Sequence, residues 1–395
     1  MQDTAEQLLS GDAWRQFCDR LKQAGDTILS DDYPASSRER SEGFRSLTRL
    51  LSYAMQMEIE CADPAFPQLF HHEQPHNQWG GPNPDNGYLR ASIHPDHAYR
   101  VWGTLAGVRQ MILSLHEGDM QLGQFGVYSE QTLSDWELGP NGELEVFVSK
   151  EKPEYATNWM PLHEDARIFS ARIYVSDWEH DACPTLHIER LGAEGLAAPP
   201  LEPAALASAL ERSVNWVEKS AEFWNRYTGS AWARATPNAL DPARSAPGGA
   251  DHILYGNCCW ELAEDEALVV NCEAPEAEYY NFCIHTLGGL ESGDFANRQV
   301  SLSDQQLHVD DDGCIRLVLS ARDPGVPNWI DNEGRERGML VYRFVWATTN
   351  PKPEGRVVKV DQVRSLVPDG HPTIDANERR RRLSARREQF WNRSI

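Results

Sequence analysis

Apolar residues in the first part of the chain recur at three- and four-residue steps, which is the period of an amphipathic helix. One stripe covers residues 14–28 and a second covers residues 44–57. The polar, proline-containing stretch 31–34 separates them, and Ser36 precedes Glu39 at the spacing of a capping box. We therefore predict helices on both sides of this break, with their aromatic residues and methionines in the core.

The period changes after a long loop rich in Pro, His, Asn and Gly at residues 64–84. Short β-branched and aromatic runs bounded by Gly, Asn, Asp or Pro then follow, and they return after residue 252. This pattern is typical of antiparallel sandwiches. Asn141-Gly142 and Asp312-Gly313 predict hairpin turns. The fold class that we predict is mainly β with flanking helices, namely jelly-roll-like antiparallel β-sandwich domains plus an N-terminal helical segment.

The same patterns predict where the domains begin and end. A helical stripe interrupts the strands after Pro203, a residue suited to the first helical position. A segment rich in Pro, Gly and Ala follows at residues 236–252, and the chain ends in a basic, helix-like tail. The predicted parts are an N-terminal helical segment (1–62), a first β-sandwich (63–200), a helical connection with a loose loop (201–250), a second, jelly-roll-like sandwich (251–350) and the tail (351–395).

Composition excludes several classes of function. Hydrophobic residues make up 41% and charged residues 25% of the 395 residues, which is ordinary for a globular protein. The net charge of −23 opposes binding to nucleic acid or anionic lipid. The N-terminus lacks the pattern of a secretory signal, and the eight cysteines form no C-x-x-C pair. We expect a cytoplasmic protein with reduced thiols and no membrane partner. Assembly into a homo-oligomer is left open by the sequence.

Three motif searches give negative predictions. The first search finds side chains of metal-ligand type at His71, His72 and His76. Their spacing would need a helix, and the composition of this loop argues against one. A pattern of H-x-H followed by a spaced Glu and a distant His is absent. No G-x-S-x-G elbow, phosphate-binding loop or dinucleotide fingerprint occurs. We therefore predict no metal and no cofactor.

Four segments combine polar groups with aromatic residues where a core strand would not. They cover residues 84–90, 158–174, 278–298 and 323–331. Each alone is explained by turns, core packing or ion pairs. Together they resemble a binding surface with aromatic walls and a few amides and guanidinium groups. Arg172 is the first candidate, because it interrupts the apolar strand ARIYV and would need an anionic or carbonyl partner if it faced inward.

These four segments carry a resemblance to known families. The run EYYNFCIHTLGGLESGDFANRQVSLSDQQLHVDDDGCIRLVLSARDPGVPNWID with the later GMLVYRFVWA resembles the family called domain of unknown function 1214. Upstream, PDNGYLRASIHPDHAYRVWG and NWMPLHEDARIFSARIYVSDW are similar to the companion family, domain of unknown function 1254. The resemblance implies jelly-roll-like sandwiches and assigns no reaction. Asp85-Asn86-Gly87 stands where the companion family usually has Asn-Asp-Thr. A function of that threonine hydroxyl in the family is therefore not implied for this chain.

The leading hypothesis is an enzyme of small-molecule catabolism that performs hydrolysis, elimination or isomerisation on an oxygenated organic molecule such as a sugar, polyketide, steroid or aromatic. One alternative is a non-catalytic carbohydrate or lipophilic-metabolite binding module that stacks its ligand on Trp159 or Trp329. Another is a structural accessory subunit with an apolar surface patch. The candidate catalytic residues are Tyr88, Arg172, Tyr280, Glu291, Arg298, Asp323 and Asp331, and the candidate substrate-binding residues are Asn86, Trp159, Tyr174, Asn281, Asn328 and Trp329.

Overall fold

The computed structural model describes residues 4–181, 183–245 and 252–393, which divide into two units. Within the described part, the first unit holds residues 4–79, 87–175 and 183–226, and the second holds 80–86, 176–181 and the chain from Tyr227 onward. Two short segments that lie within the range predicted for the first sandwich, 80–86 and 176–181, thus belong to the second unit. The loose loop predicted at 236–252 lies partly outside the described residues.

The first unit begins with the predicted helical segment. Ser36 caps α4 as a capping box, since its side chain accepts from Glu39 N at 3.1 Å. The predicted first helix is interrupted, because Gly25 ends α2 and a short α3 follows. The helices are α1 (Thr4–Leu9), α2 (Asp12–Ala24), α3 (Asp26–Leu29) and α4 (Ser37–Met55), which continues as a π-helical turn (Gln56–Glu60).

Two aromatic residues of the predicted helical stripes do not enter the core. Trp14 is 53% exposed and Phe44 is 41% exposed, whereas Phe17 and Ile28 are buried. Both exposed residues lie at the margin of an amphipathic face, where helical periodicity alone does not tell a core position from a boundary position. The prediction that they are core residues was wrong.

Two sheets form the sandwich of the first unit. Sheet A has the strand order β1-β2-β8-β4-β5 and sheet B the order β7-β6-β3-β9. Alternate residues such as Leu113 and Ala171 of sheet A and Val101 and Val146 of sheet B fill the core between them. The strands are β1 (Phe70–His71), β2 (Asn86–Ser92), β3 (Tyr99–Thr104), β4 (Gln110–His116), β5 (Val127–Thr132), β6 (Glu143–Ser149), β7 (Asn158–Pro161), β8 (Ile168–Tyr174) and β9 (Thr185–Arg190).

The turn at Asn141-Gly142 forms, but it joins no hairpin. Gly142 has φ 81° and its N–H donates to Gly139 O at 3.0 Å. The strand before the turn, β5, pairs with β4 in sheet A, whereas β6 pairs with β3 and β7 in sheet B. Asn141 and Gly142 determine the local turn conformation, whereas the sandwich topology places β5 and β6 in different sheets. The prediction of a hairpin here was wrong.

The second unit has a sandwich of the same kind. Sheet C has the order β10-β16-β12-β13 and sheet D the order β15-β14-β11-β17, with Trp260, Phe282 and Leu317 in the core. The strands are β10 (Ile253–Glu261), β11 (Glu266–Glu273), β12 (Tyr279–His285), β13 (Ser301–Ser303), β14 (Cys314–Ser320), β15 (Trp329–Asp331), β16 (Arg337–Val345) and β17 (Glu354–Lys359).

The predicted fold class is confirmed, with two local exceptions to antiparallel pairing. β7 runs parallel to β6, and β15 runs parallel to β14. The Asp312-Gly313 turn is confirmed, because Gly313 has φ 78° and Asp310 N donates to Cys314 O at 3.0 Å across it. Pro203 begins the long helix α5 (Pro203–Arg234) as predicted. Among the described residues, no disulfide joins two cysteines and no helix is long and apolar enough to cross a membrane.

The basic tail forms α6 (Ala376–Arg393), which folds against the second sandwich. Arg379 Nε donates to Asp323 Oδ2 at 2.8 Å. Arg386 donates to Phe295 O at 2.7 Å and to Ser301 Oγ at 2.6 Å. Its guanidinium carbon also lies 4.0 Å from the centroid of the Trp178 ring. Two buried arginines therefore anchor this helix.

The buried Arg386 should stabilise the second unit far more than an exposed arginine of the same helix. Arg386→Ala leaves Phe295 O and Ser301 Oγ without this donor, and we expect a loss of about 2–4 kcal/mol in the free energy of unfolding. Arg380→Ala, at an exposed site, should change it by less than about 0.5 kcal/mol. Urea denaturation measures both, and equal effects of the two substitutions would contradict the anchoring role.

Candidate functional site

The two faces of sheet A differ in chemistry. One face is apolar and packs into the sandwich core, for example through Leu89, Leu113 and Ala171. Because side chains alternate along a strand, the residues between these core positions point to the opposite face. That face carries polar and titratable side chains on four of the five strands: Tyr88 and Arg90 on β2, Ser170, Arg172 and Tyr174 on β8, Ser114 and His116 on β4, and Glu130 on β5.

Arg172 and its neighbour Tyr88 mark the middle of this face. The Arg172 guanidinium carbon lies 5.9 Å from the centroid of the Tyr88 ring, which is within the range of a cation–π contact. His72, just after β1, places its ring centroid 5.5 Å from that of Tyr88. The structure thus brings together two residues, Tyr88 and Arg172, that the sequence proposed as catalytic.

A second set of polar contacts continues across the neighbouring strands. Ser114 pairs with Ser170 of β8 and with Glu130 of β5 in the strand register. His116 Nε2 lies 3.0 Å from Ser170 Oγ, and Ser114 Oγ donates to Glu130 Oε2 at 3.4 Å. We call Tyr88, His116, Ser170, Arg172 and Glu130 the polar row. All five are half-buried.

A buried ion pair fixes the end of the polar row near β2. Arg90 donates to Asp119 through both terminal nitrogens, at 2.9 and 3.1 Å. Arg90 also donates to the Tyr53 hydroxyl of α4 at 2.9 Å, and Trp216 Nε1 of α5 donates to Asp119 at 2.8 Å. Two helices are thereby held to the polar face of sheet A by groups whose charges are satisfied. Such a pair keeps its geometry because breaking it would leave a buried charge.

The histidine of the polar row is neutral at pH 7. Burial, together with the Arg172 and Arg90 charges, lowers the pKa of His116 to about 4. Burial also holds the pKa of His72 well below its usual range, with Arg90 as the next cause. His72 Nδ1 is buried and has no hydrogen-bond partner among the described residues. The arrangement can hold an anion at Arg172 next to a neutral imidazole that can accept a proton.

The remaining predicted residues of the first unit have structural contacts. Trp159 Nε1 donates to Ser149 O and Ser149 Oγ, both at 3.1 Å. Tyr174 shares the strand and the face of Arg172 and is buried. Tyr174 thus lies next to the polar row on β8, and Trp159 belongs to sheet B.

The second unit contains a separate buried polar network. Asn281 Nδ2 donates to Asn83 Oδ1 at 2.7 Å, and the Tyr279 hydroxyl donates to Asp85 Oδ2 at 2.8 Å. Asn83 Nδ2 donates to Asn86 Oδ1 at 3.2 Å. The predicted residues Asn281 and Asn86 are therefore joined through Asn83. These bonds fasten the Pro-Asn-Pro-Asp-Asn segment to β12, and nearly complete burial makes this network less accessible than the polar row.

Four predicted residues of the second unit form ion pairs or core contacts. Arg298 Nη1 donates to Asp331 Oδ2 at 2.7 Å, and Asp323 accepts from Arg379 of α6. Burial raises the pKa of Asp331 above its ordinary value although Arg298 opposes this shift. Tyr280 lies in the core cluster of the sandwich.

The last three predicted residues are buried near other backbone segments. Trp329 Nε1 donates to Ser320 O at 3.1 Å, and Glu291 N donates to Thr286 Oγ1 at 3.0 Å. Asn328 Nδ2 donates to His308 O at 2.7 Å. The catalytic and binding roles assigned to these residues stay predictions.

Sequence reasoning missed His116, Ser170 and Glu130 of the polar row. Ser170 and Arg172 alternate in FSARIY, and Ser114 and His116 alternate in ILSLH, so that a period-two polar face was visible on both strands. The two strands lie more than fifty residues apart in the sequence, and their register is not written in either one. His72 was weighed only as a metal ligand, whereas the structure places it beside Tyr88.

A surface groove of about 690 Å³ lies over sheet B. Trp102 and His187 stack there with ring centroids 5.2 Å apart, and Arg100 covers Trp102 while it donates to Glu145 at 2.6 Å. None of the residues predicted from the sequence lines this groove. We consider the polar row the better candidate, because it joins an arginine to groups that can transfer protons.

The chain is similar to solved structures. An uncharacterised protein from Burkholderia cenocepacia is 32% identical over 90% of this chain and 99% of that one, with a TM-score of 0.83. A protein from Vibrio parahaemolyticus is 14% identical over 86% of this chain and 100% of that one, with a TM-score of 0.47. No family model and no curated protein matches the chain. The resemblance to the domains of unknown function 1214 and 1254 therefore stays a prediction.

The neutral state of His116 should make the protein less stable in acid. The folded state holds the pKa of His116 at about 4 against an ordinary value of 6.5, so the unfolded chain binds the proton more readily. Stability from this residue is complete above about pH 6.5 and falls as the pH decreases toward 4, with a slope of up to about 1 kcal/mol per pH unit.

Denaturation of the wild type and His116→Gln between pH 7 and 4 measures this slope. We expect the variant to lose less stability with decreasing pH than the wild type does. A variant whose stability falls as steeply would show that His116 is not held neutral by the fold.

Proposed function

We propose that this chain, which belongs to the same family as the Burkholderia cenocepacia protein, is an enzyme that performs acid–base chemistry on a small oxygenated organic acid bound at the polar row. Arg172 carries this proposal, because it is half-buried on a face with titratable neighbours. A guanidinium group presents a planar fork that matches a carboxylate. A small carboxylic or keto acid is accordingly the substrate class that the site suits best.

His116 supplies the proton acceptor in this proposal. A base works best when its pKa lies near the working pH, and a pKa of about 4 makes the free imidazole a weak base. Arg172 is, after burial, the largest cause of that low value. A bound carboxylate would neutralise the Arg172 charge and let the pKa of His116 rise toward its ordinary value. Substrate binding and activation of the base are therefore coupled through one charge.

Tyr88 is the proton donor in this arrangement. Its ring lies against Arg172 and against His72. In this proposal Arg172 holds the acid, His116 removes a proton and Tyr88 returns one. These three roles are sufficient for an isomerisation or an elimination next to the bound carboxylate.

One contact favours a second reaction class, hydrolysis through a serine nucleophile. Ser170 Oγ lies 3.0 Å from His116 Nε2, which is the distance between a nucleophile and its base. The sequence lacks a nucleophile elbow, but a serine and a histidine can meet from distant strands. Ser170→Ala separates the two classes, since it abolishes hydrolysis and leaves proton transfer by His116 in place.

Arg172→Ala should abolish ligand binding while it leaves the fold intact. A thermal-shift screen of small carboxylic and keto acids against the wild type identifies a binder, and titration calorimetry gives its affinity. We expect at least a hundredfold loss for the variant, since a charged hydrogen bond to a bound carboxylate contributes about 3 kcal/mol.

Arg100→Ala is the matched control. Arg100 lies on sheet B, away from the polar face of sheet A, and its contacts are with Trp102 and Glu145. Its variant should bind as the wild type does. A folded Arg172→Ala protein that binds with wild-type affinity would rule out Arg172 as the anion holder.

The coupling between ligand and base gives a further expectation. Binding of the carboxylate should raise the pKa of His116 from about 4, because the opposing charge of Arg172 is then neutralised. Nuclear magnetic resonance of the histidine ring protons, recorded against pH with and without the ligand, measures this. An unchanged His116 titration in the saturated complex would contradict the proposed coupling.

A further inference from the structure

Three metal-ligand side chains meet in the second unit. His308, Asp310 and His371 each offer a ligand atom, and these atoms lie within 4.8 Å of one another. Asp310 Oδ1 is 2.8 Å from His371 Nδ1 and 3.2 Å from His308 Nε2. Across the described ranges of the chain, this is the one group of three such residues.

The local chain conformation explains how two of the ligands face the same way. His308 and Asp310 flank Val309, and alternate residues of an extended segment share a face. Val309 bridges to Ile315, and Asp310 N donates to Cys314 O at 3.0 Å, which closes the Asp312-Gly313 hairpin beneath the two side chains. The hairpin that the sequence predicted therefore also aligns a carboxylate with an imidazole.

The third ligand comes from a turn that precedes α6. His371 N donates to Pro368 O at 2.9 Å, and Arg364 Nη1 donates to His371 O at 2.8 Å. Its imidazole is buried. Its Nδ1 atom is the one that faces the cluster, since it lies 2.8 Å from Asp310 Oδ1 and 3.1 Å from Asp310 Oδ2.

Surrounding residues hold the other two ligands from outside. Asn328 binds the backbone of His308 on both sides, with its Nδ2 donating to His308 O and its Oδ1 accepting from His308 N, each at 2.7 Å. Arg316 Nη1 donates to Asp310 Oδ2 at 2.7 Å. This leaves Oδ1 as the oxygen that faces both imidazoles. Outer contacts of this type orient the ligands of metal sites.

We propose that His308, Asp310 and His371 bind one divalent transition-metal ion. Tetrahedral zinc with bonds of about 2.0–2.1 Å holds its ligand atoms about 3.3 Å apart. The two distances to Asp310, 2.8 and 3.2 Å, are within about half an ångström of this value, and the two imidazole nitrogens lie within 4.8 Å of each other. Two imidazoles and one carboxylate suit zinc, iron or cobalt, whereas calcium and magnesium prefer oxygen ligands. His308 is partly exposed, so water can complete the coordination.

The sequence pattern predicts no metal, and none of these three residues stands out in it as a ligand. The spacing His308-x-Asp310 was present, but it becomes informative only together with a third ligand. That ligand, His371, lies 61 residues beyond Asp310. The site does not rest on the proposed function, because its residues belong to the second unit and the polar row belongs to the first.

Metal titration of the full-length protein tests this proposal. Protein stripped with a chelator is titrated with Co²⁺ and followed by visible absorption, and the Zn²⁺ content after loading and gel filtration is measured by mass spectrometry of the elements. We expect one ion per chain. His308→Ala and His308→Gln should each weaken binding of the ion at least about tenfold. Mutation of residues that only support the ligands of a metal site already lowers metal affinity by about 10- to 100-fold.

The exposed His187 provides the matched control, since His187→Ala also removes one imidazole from the chain. It should bind the ion as the wild type does. Denaturation curves check that the His308 variants are folded. We expect them to fold because His308 is partly exposed. Absence of a bound ion in the wild type, or unchanged affinity in both folded His308 variants, would overturn the proposal and leave the three residues as an ion-pair cluster around Arg316.

Discussion

The buried pair of Arg90 and Asp119 is the constraint on which the arrangement of the first unit depends. A β-sandwich normally leaves the outer face of a sheet to water, but here Tyr53 of α4 and Trp216 of α5 bond to this pair from above. The helices can cover a polar face because these two charges are satisfied by each other and by neutral donors. Burial of this face is the main cause that holds the pKa values of His72 and His116 below their ordinary value, and the arginine charges act in the same direction.

Local patterns predicted much of the fold. Period-two runs located most strands of both sandwiches, and the capping box at Ser36 and the proline at Pro203 marked the starts of two helices. Patterns of this kind work because they report the conformation of adjacent residues. They failed where distant partners decided the outcome. Asn141-Gly142 is a turn without a hairpin, since its flanking strands pair in different sheets, and Trp14 remains exposed at the edge of a helical face.

The candidate site was predictable to the same extent. Arg172 could be recognised as a charge in an apolar strand, which is a local contradiction, and the structure places it beside the predicted Tyr88. The meeting of His116 with Ser170 depends on strand register, and that of Asp310 with His371 depends on a turn before the last helix. Neither follows from spacing in the sequence. Both sites depend on partners that only tertiary structure brings together.

Hydrogen–deuterium exchange of the protein with and without a bound organic acid tests the central claim most directly. If the ligand lies on the polar row, peptides that cover β2, β4 and β8 should exchange more slowly in the complex, with little change in sheets C and D. Protection confined to the second sandwich, or to the groove over sheet B, would contradict the assignment of the functional site to Arg172 and its neighbours.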